Sequence, residues 1–196
     1  MTNKYQSIRL FQNPFLEKLT HVHPLIPLVM WTPVIGHYLH LSVEENGLGP
    51  WELLVTAVLG LFSWTLVEYT LHRFVFHFAA KSSWSKKLVY LSHGIHHDDP
   101  DDPTRLVMPP VPAIFYATLF YHLFFWTLGR AWGQGTFAFF LIGYLCYDYI
   151  HYSVHHFVPK TRWGKYLRRN HLVHHARHKT YYGVTGPLWD YVFKTL

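Results

Sequence analysis

Cysteine is nearly missing from this 196-residue sequence: Cys146 stands alone. One cysteine excludes an intramolecular disulfide, and a thiolate metal site is not expected. Charge is scarce as well. Asp, Glu, Lys and Arg make up 14% of the chain, where a soluble domain carries about a quarter. No basic, apolar, then small-residue leader opens the sequence, so no cleaved signal peptide is expected. There is no H-E-x-x-H helix, no G-x-S-x-G elbow, no G-x-G-x-x-G turn and no phosphate loop. These absences exclude the common signatures of zinc proteases, serine hydrolases and nucleotide enzymes. No repeat of 20–50 residues and no low-complexity tract is visible, and the length suits one domain spanning residues 1–196.

Apolar side chains are abundant. Half of the residues are hydrophobic and 19% are aromatic, while 17 histidines and a polar tail hold mean hydropathy at +0.04. Four stretches approach the roughly 20 residues that cross a bilayer: Pro24–Leu41, Pro50–Leu71, Pro110–Leu128 and Gln134–Ile150. None contains Lys or Arg, and each is apolar all round instead of striped. Trp and Tyr sit near several ends, as membrane interfaces prefer. The expected fold is therefore all-α and integral to a membrane, with four transmembrane helices forming two hairpins.

Lys4, Arg9 and Lys18 precede the first stretch. Arg73, Lys81, Lys86, Lys87 and Arg105 lie between the second and third. Lys160, Arg162, Lys165, Arg168, Arg169, Arg177, Lys179 and Lys194 follow the fourth. Only Arg130 falls on the other side, so 16 of 17 basic residues share one face. The positive-inside rule puts both termini and the central segment in the cytosol. The net charge of +6 then faces anionic headgroups, which accounts for it better than nucleic acid does. "DDPDDP" at Asp98–Pro103 reads as a solvated turn, not a calcium loop, because two prolines interrupt it.

The histidines gather on that cytosolic side. They occur in "LHRFVFH" (His72, His77), "SHGIHH" (His93, His96, His97), "HYSVHH" (His151, His155, His156) and "HLVHH" (His171, His174, His175). Neutral imidazole is a common ligand for iron and zinc. Helical residues three or four apart share a face, so His93 with His96, His171 with His174, and His151 with His155 could each grip one ion. Adjacent histidines diverge by about 100°, and His72 and His77 by about 140° in an ideal helix, so such pairs suggest two neighbouring ions. Ten candidates result: His72, His77, His93, His96, His97, His151, His155, His171, His174 and His175. Two six-coordinate ions would have twelve positions, leaving two for oxygen, water or substrate, whereas a structural zinc site is closed by four ligands. Glu68, Asp148 and, more weakly, Asp190 are candidates to orient these ligands. His21, His23, His37, His40 and His122 stand outside the pattern and read as polar or packing residues.

The strings "LVEYTLHRFVFHF", "LSHGIHHDDPDDPTRLVMPP", "GYLCYDYIHYSVHH" and "NHLVHH…YYGVTGPLWDYVF" cover most of Leu66–Phe193. They resemble the fatty acid 2-hydroxylase branch of the membrane fatty acid hydroxylase and sterol desaturase superfamily. The resemblance implies a four-span platform capped by a cytosolic helical domain around a dimetal site. It implies one ion on His72, His93, His96, His171 and His174, and another on His77, His97, His151, His155 and His175. It implies iron for activity, zinc as a replacement in isolated material, O2, and C2 hydroxylation of a long acyl chain, such as those of sphingolipids. Eukaryotic members often carry an N-terminal cytochrome b5 domain; about twenty residues precede the first span here. Electrons are therefore expected from a separate partner, such as cytochrome b5 or a ferredoxin with its reductase. The expected setting is a bacterial inner membrane or the endoplasmic reticulum, with the metal site cytosolic. A sterol or carotenoid hydroxylase or a desaturase would share the metal pattern. A metal transporter would need ligands near the bilayer midplane.

Overall fold

The computed structural model describes residues 6–196, so Lys4 lies outside the described residues. Among them the regular structure is helical, with no strand. The chain divides into two compact units.

One unit comprises Leu25–Glu68 and Met108–Asp148. Its first helix, α2 (Ile26–His40), begins with Pro27 in the first turn, where a missing N–H costs nothing. A π-helical turn, Leu41–Glu45, follows and closes on Asn46, whose amide donates to the Leu41 carbonyl and to Gln134 Oε1. Helix α3 (Pro50–Thr70) again starts on proline. Helix α6 (Pro110–His156) is interrupted at Gly129, whose φ of 76° and ψ of 178° only glycine adopts readily. Between the stretches Pro110–Leu128 and Gln134–Ile150, the helical ladder breaks at Gly129 alone and resumes at once. Arg130 then lies 3.8 Å from Glu45, so this break and the end of α2 share one end of the unit.

Close approach of α3 and α6 depends on small residues. A Cβ on Gly60 would stand 2.4 Å from the Thr136 carbonyl, and one on Gly143 would stand 2.6 Å from Trp64 Cβ. Trp64 fills the seam, 5.2 Å from the Phe140 ring and 5.3 Å from Tyr144. The outer surface is apolar: Val111 is 81% exposed and Trp126 76%. Water would not tolerate so much contiguous apolar surface, whereas lipid would. Two helical stretches, Pro50–Phe76 and Pro110–His156, are long and apolar enough to cross a membrane. The 15 residues of α2 fall short of that length.

The second unit comprises Met1–Pro24, Tyr69–Val107 and Tyr149–Leu196. It holds α1 (Pro14–Leu19), α4 (Ser83–Val89), α5 (Ile95–Asp98), the last turns of α6, α7 (Arg162–Arg177) and α8 (Leu188–Val192). Asn13, Ser82 and Thr161 cap α1, α4 and α7 through side-chain oxygens. Two further π-helical turns, Leu71–Phe76 and Tyr90–Gly94, sit in this unit.

The "DDPDDP" segment departs from the solvated turn expected of it. Asp102 is buried. Its carboxylate accepts from the Thr104 amide at 2.9 Å and the Thr104 hydroxyl at 2.7 Å, and from the Ser7 hydroxyl. Burial works to raise the Asp102 pKa, but these bonds and nearby Arg105 hold it below the usual range. Arg105 in turn donates to Glu17 Oε1 at 2.7 Å and to the Thr20 hydroxyl at 3.0 Å. An Asp that caps its own turn and faces an arginine is internal structure, not a wet loop. The N-terminal segment is thereby fastened to the residues just before Leu106.

Candidate metal centre

The histidine unit brings all ten sequence candidates into two groups of five. One group is His72, His77, His93, His97 and His174; the other is His96, His151, His155, His171 and His175. Within each group the ligand atoms lie within 4.8 Å of one another.

This division differs from the one implied by the family resemblance, which joined His96 and His171 to His72. The reason is helical geometry. His72 lies in the π-helical turn Leu71–Phe76 that His77 caps, and the His77 amide donates to the His72 carbonyl at 3.1 Å, five residues back. A π turn carries i and i+5 onto one face, so the two rings face one site instead of diverging. His93 lies in a second π turn, Tyr90–Gly94, and meets His97, four residues on, at 3.0 Å between Nε2 atoms. On α7, His171 pairs with His175, again at i+4, with Nε2 atoms 3.0 Å apart. The pairs His93–His96 and His171–His174, three apart, are therefore split. His151 and His155 stay together, and the adjacent pairs His96–His97 and His174–His175 divide as adjacency predicts.

The spacing identifies what the groups fit. Nε2···Nε2 distances are 3.0 Å for His72–His93, 2.9 Å for His77–His174, 3.0 Å for His96–His151 and 2.8 Å for His155–His171. With metal–nitrogen bonds of about 2.0–2.1 Å, ligands at right angles stand about 2.9 Å apart and tetrahedral ones about 3.3 Å. The observed edges match right-angle coordination.

Ring protons agree. A neutral imidazole carries one ring proton. His72 Nδ1 donates it to the Tyr182 carbonyl at 2.6 Å, His174 Nδ1 to Thr180 at 2.8 Å, and His151 Nδ1 to Leu106 at 3.1 Å. Their Nε2 atoms are left as bare lone pairs. His72 and His174 aim two such lone pairs into one group, an arrangement that only a cation makes favourable. Burial, reinforced by the neighbouring rings, pushes His93, His96 and His171 well below the usual histidine pKa. Burial likewise lowers His77 to about 4 and His174 and His175 to about 3. All are neutral at physiological pH, the form that binds metal.

The groups share a wall. The His97 ring stacks on His175 with centroids 4.2 Å apart, one ring from each group. His156 and His178 belong to neither group. His178 nevertheless rests against His97, 4.7 Å between centroids, as the exposed left-handed cap of α7. His21 bonds Thr104 and Glu17, which is a polar packing role.

Asp190 is fully buried and touches no histidine of either group among the described hydrogen bonds. It accepts from the Tyr182 and Gly183 amides, both at 2.9 Å, and from the Thr195 hydroxyl at 2.7 Å. It therefore acts through Tyr182, whose carbonyl holds His72. Gly183 must be glycine for this turn: a Cβ there would lie 2.1 Å from the Gly186 carbonyl. Glu68 and Asp148 are buried and belong to the other unit. Sequence reasoning missed the carbonyls of Leu106, Thr180 and Tyr182, because a backbone acceptor leaves no residue-type signature. Their only trace was that "RLVMPP" and "YYGVTG" adjoin histidine clusters.

Comparison with known proteins follows the same lines. The fatty acid hydroxylase family profile matches residues 57–195. A dihydroceramide fatty acyl 2-hydroxylase of Arabidopsis thaliana is 40% identical over 190 residues, covering 96% of this chain and 79% of that protein. A ceramide very long chain fatty acid hydroxylase of Saccharomyces cerevisiae is 39% identical over 96% of this chain, which spans about half (49%) of its length. The solved structure of full-length scs7p, in which only the hydroxylase domain is visible, superposes with a TM-score of 0.89 at 37% identity, covering 96% of this chain and 72% of that one.

Proposed function

Since the chain belongs to the fatty acid hydroxylase family, we propose that it hydroxylates long-chain fatty acyl groups at C2, using O2 and a pair of histidine-bound metal ions. The observation that carries this reading is the two five-imidazole groups, with nitrogen edges of 2.8–3.0 Å and a shared His97–His175 wall. A closed structural zinc site would need four ligands and one centre, not ten ligands around two.

His72, His77, His93, His97 and His174 would hold one ion, and His96, His151, His155, His171 and His175 the other. Bound iron would supply the O2 chemistry that an unactivated C–H bond requires, which the protein itself cannot perform. The balance is one acyl C–H, one O2, two electrons and two protons giving one C–OH and one water. A separate electron donor supplies the electrons; cytochrome b5 or a ferredoxin with its reductase has the required chemistry. Zinc would occupy the same imidazoles without supporting turnover.

The chain's own part is positioning. The Leu106, Thr180 and Tyr182 carbonyls fix three rings with their Nε2 lone pairs inward. Glu68 and Asp148 are proposed to steady the histidines that follow them in sequence. In this reading residues 1–196 form one hydroxylase domain with four spans, and both termini and the metal site face the cytosol of a bacterium or of the endoplasmic reticulum. The charge distribution and the apolar outer surface support that topology.

The test is lipid mass spectrometry after expression with iron, O2 and a competent electron donor. Accumulation of 2-hydroxy acyl chains is expected. Their absence from iron-loaded protein sinks the proposal, and sterol or unsaturated products would redirect it to a sibling activity.

A further inference from the structure

Helix α7 has a second working face. Leu167, Asn170, His171 and His174 form its buried side. Lys165, Arg168, Arg169, Leu172 and Ala176 recur at i, i+3/i+4 spacing and share the opposite side, with Val173 and Arg177 along its margin. That side, with Val158 from the preceding loop, lines an open groove of about 680 Å³.

The groove carries four cationic side chains. Among the described residues no ion pair joins any of them to a carboxylate. None is to hand in sequence either: from Tyr149 to Leu196 the sole acid is Asp190, buried and occupied with Tyr182, Gly183 and Thr195. Like charges at i, i+3 and i+4 repel, and no carboxylate among the described residues pairs with them, so this face favours a ligand that brings its own negative charge. The rest of the lining is apolar and open. Val158 is 79% exposed and Leu172 42%, and neighbouring Phe157 is 62% exposed. A free anion would satisfy the charge and leave this wall in water. An acidic protein surface would do much the same. A phosphate group carrying a hydrocarbon chain satisfies both halves.

We propose that this groove binds an anionic phospholipid, with the headgroup phosphate on Lys165, Arg169 and Arg177 and an acyl chain along Val158 and Leu172. Arginine suits the phosphate because its planar fork donates two parallel hydrogen bonds. Arg168 has a different duty: its Nε donates to the Val154 carbonyl at 2.9 Å, tying α7 to the last turns of α6. The lipid would neutralise the back of the helix that carries His171, His174 and His175. The inference goes beyond hydroxylation and does not depend on it.

The experiment is native mass spectrometry of the full chain in detergent, with phosphatidylglycerol, phosphatidylcholine and inorganic phosphate as probes. Wild-type protein is expected to retain phosphatidylglycerol over phosphatidylcholine, and to lose the preference as salt rises. The variant Lys165→Gln/Arg169→Gln/Arg177→Gln is expected to bind phosphatidylglycerol on the order of 100-fold more weakly, as befits three basic contacts to a headgroup. Its metal content and helical circular dichroism should be unchanged. Should the variant fail to fold, Lys165→Gln/Arg169→Gln makes the same comparison against a control variant, Lys86→Gln/Lys87→Gln, which removes two charges of the same unit outside the groove; equal weakening by both overturns the proposal. Equal retention of the two lipids, full retention by the variant, or displacement by excess inorganic phosphate overturns the proposal. Salt-sensitive binding of an acidic electron-donor protein that the variant loses, with lipid retention unaffected, would assign the groove to that protein and overturn it too. No turnover is measured, so an inactive enzyme leaves this test standing.

Discussion

Removing histidines in pairs should count the ions. His93 and His97 belong to one group, and His96 to the other, although His96 lies between them in sequence. Structural zinc sites bind with about 10–16 kcal/mol over four ligands, so one imidazole contributes about 3 kcal/mol, or roughly 100-fold in affinity. A single His93→Ala change should therefore weaken one ion about 100-fold and spare the other, so that a chelator buffered between the two affinities takes metal content from two per chain toward one. Adding His97→Ala should cost little more, because that ion is already lost. Adding His96→Ala instead should take the content toward zero. Residues that share an ion are expected to be non-additive, and residues on separate ions close to additive. Elemental analysis of purified variants, with circular dichroism to confirm the helical fold, reads the outcome. One ion retained by His93→Ala/His96→Ala, and none by His93→Ala/His97→Ala, would refute the grouping and restore the division implied by the family resemblance.

Metal-free protein should weaken in mild acid. His174 and His175, near pKa 3 in the fold against 6.5 when unfolded, stay neutral while the unfolded chain takes up protons. Their contribution is present above pH 6.5 and is lost progressively toward pH 3, with about 2–3 kcal/mol gone by pH 5.5 for the two together. Thermal melts of stripped protein from pH 7.5 to 5.5 check this; a flat profile contradicts it. Asp190→Ala leaves two amides and a hydroxyl buried without their acceptor, costing at least about 3 kcal/mol, and should loosen the ion held by His72. Chemical denaturation and metal titration would show both effects, and an unchanged midpoint would remove Asp190 from the scaffold. His178→Ala should leave both ions in place and lower turnover only modestly, since it packs on His97 without joining either group; loss of an ion would make it a ligand.

The ten histidines were legible from spacing alone, since imidazoles recurring at three, four and five residues in four clusters make chemical sense only around shared ions. How they divide was not. Ideal α-helical angles turn His77 away from His72, but the π-helical turn at Leu71–Phe76 brings it back; and where spacings of three and four both share a face, the site uses four, pairing His93 with His97 and His171 with His175. A π turn has no strong residue signature, so the angle had to be seen. The apolar stretches were legible as helices, and the gap between Leu128 and Gln134 contains the Gly129 break in α6. Asp102 shows the converse: a string of Asp and Pro reads as wet loop, yet one carboxylate is drawn inward by Arg105 and its own turn. Asp190 was the weaker candidate to orient the ligands, and its route through Tyr182 depends on a backbone carbonyl.

The turn between His72 and His77 also changes how variation there should be counted. Arg73, Phe74, Val75 and Phe76 are spacers whose number sets the site. Exchanging one for another side chain alters packing. Deleting one leaves the two histidines four apart, and in an ordinary α-helix such a pair still shares a face. Inserting one sets them six apart, about 120° away from each other in α-helical phase, and undoes the grip. Across the family, this segment should tolerate changes of letter and the loss of one residue far better than the gain of one.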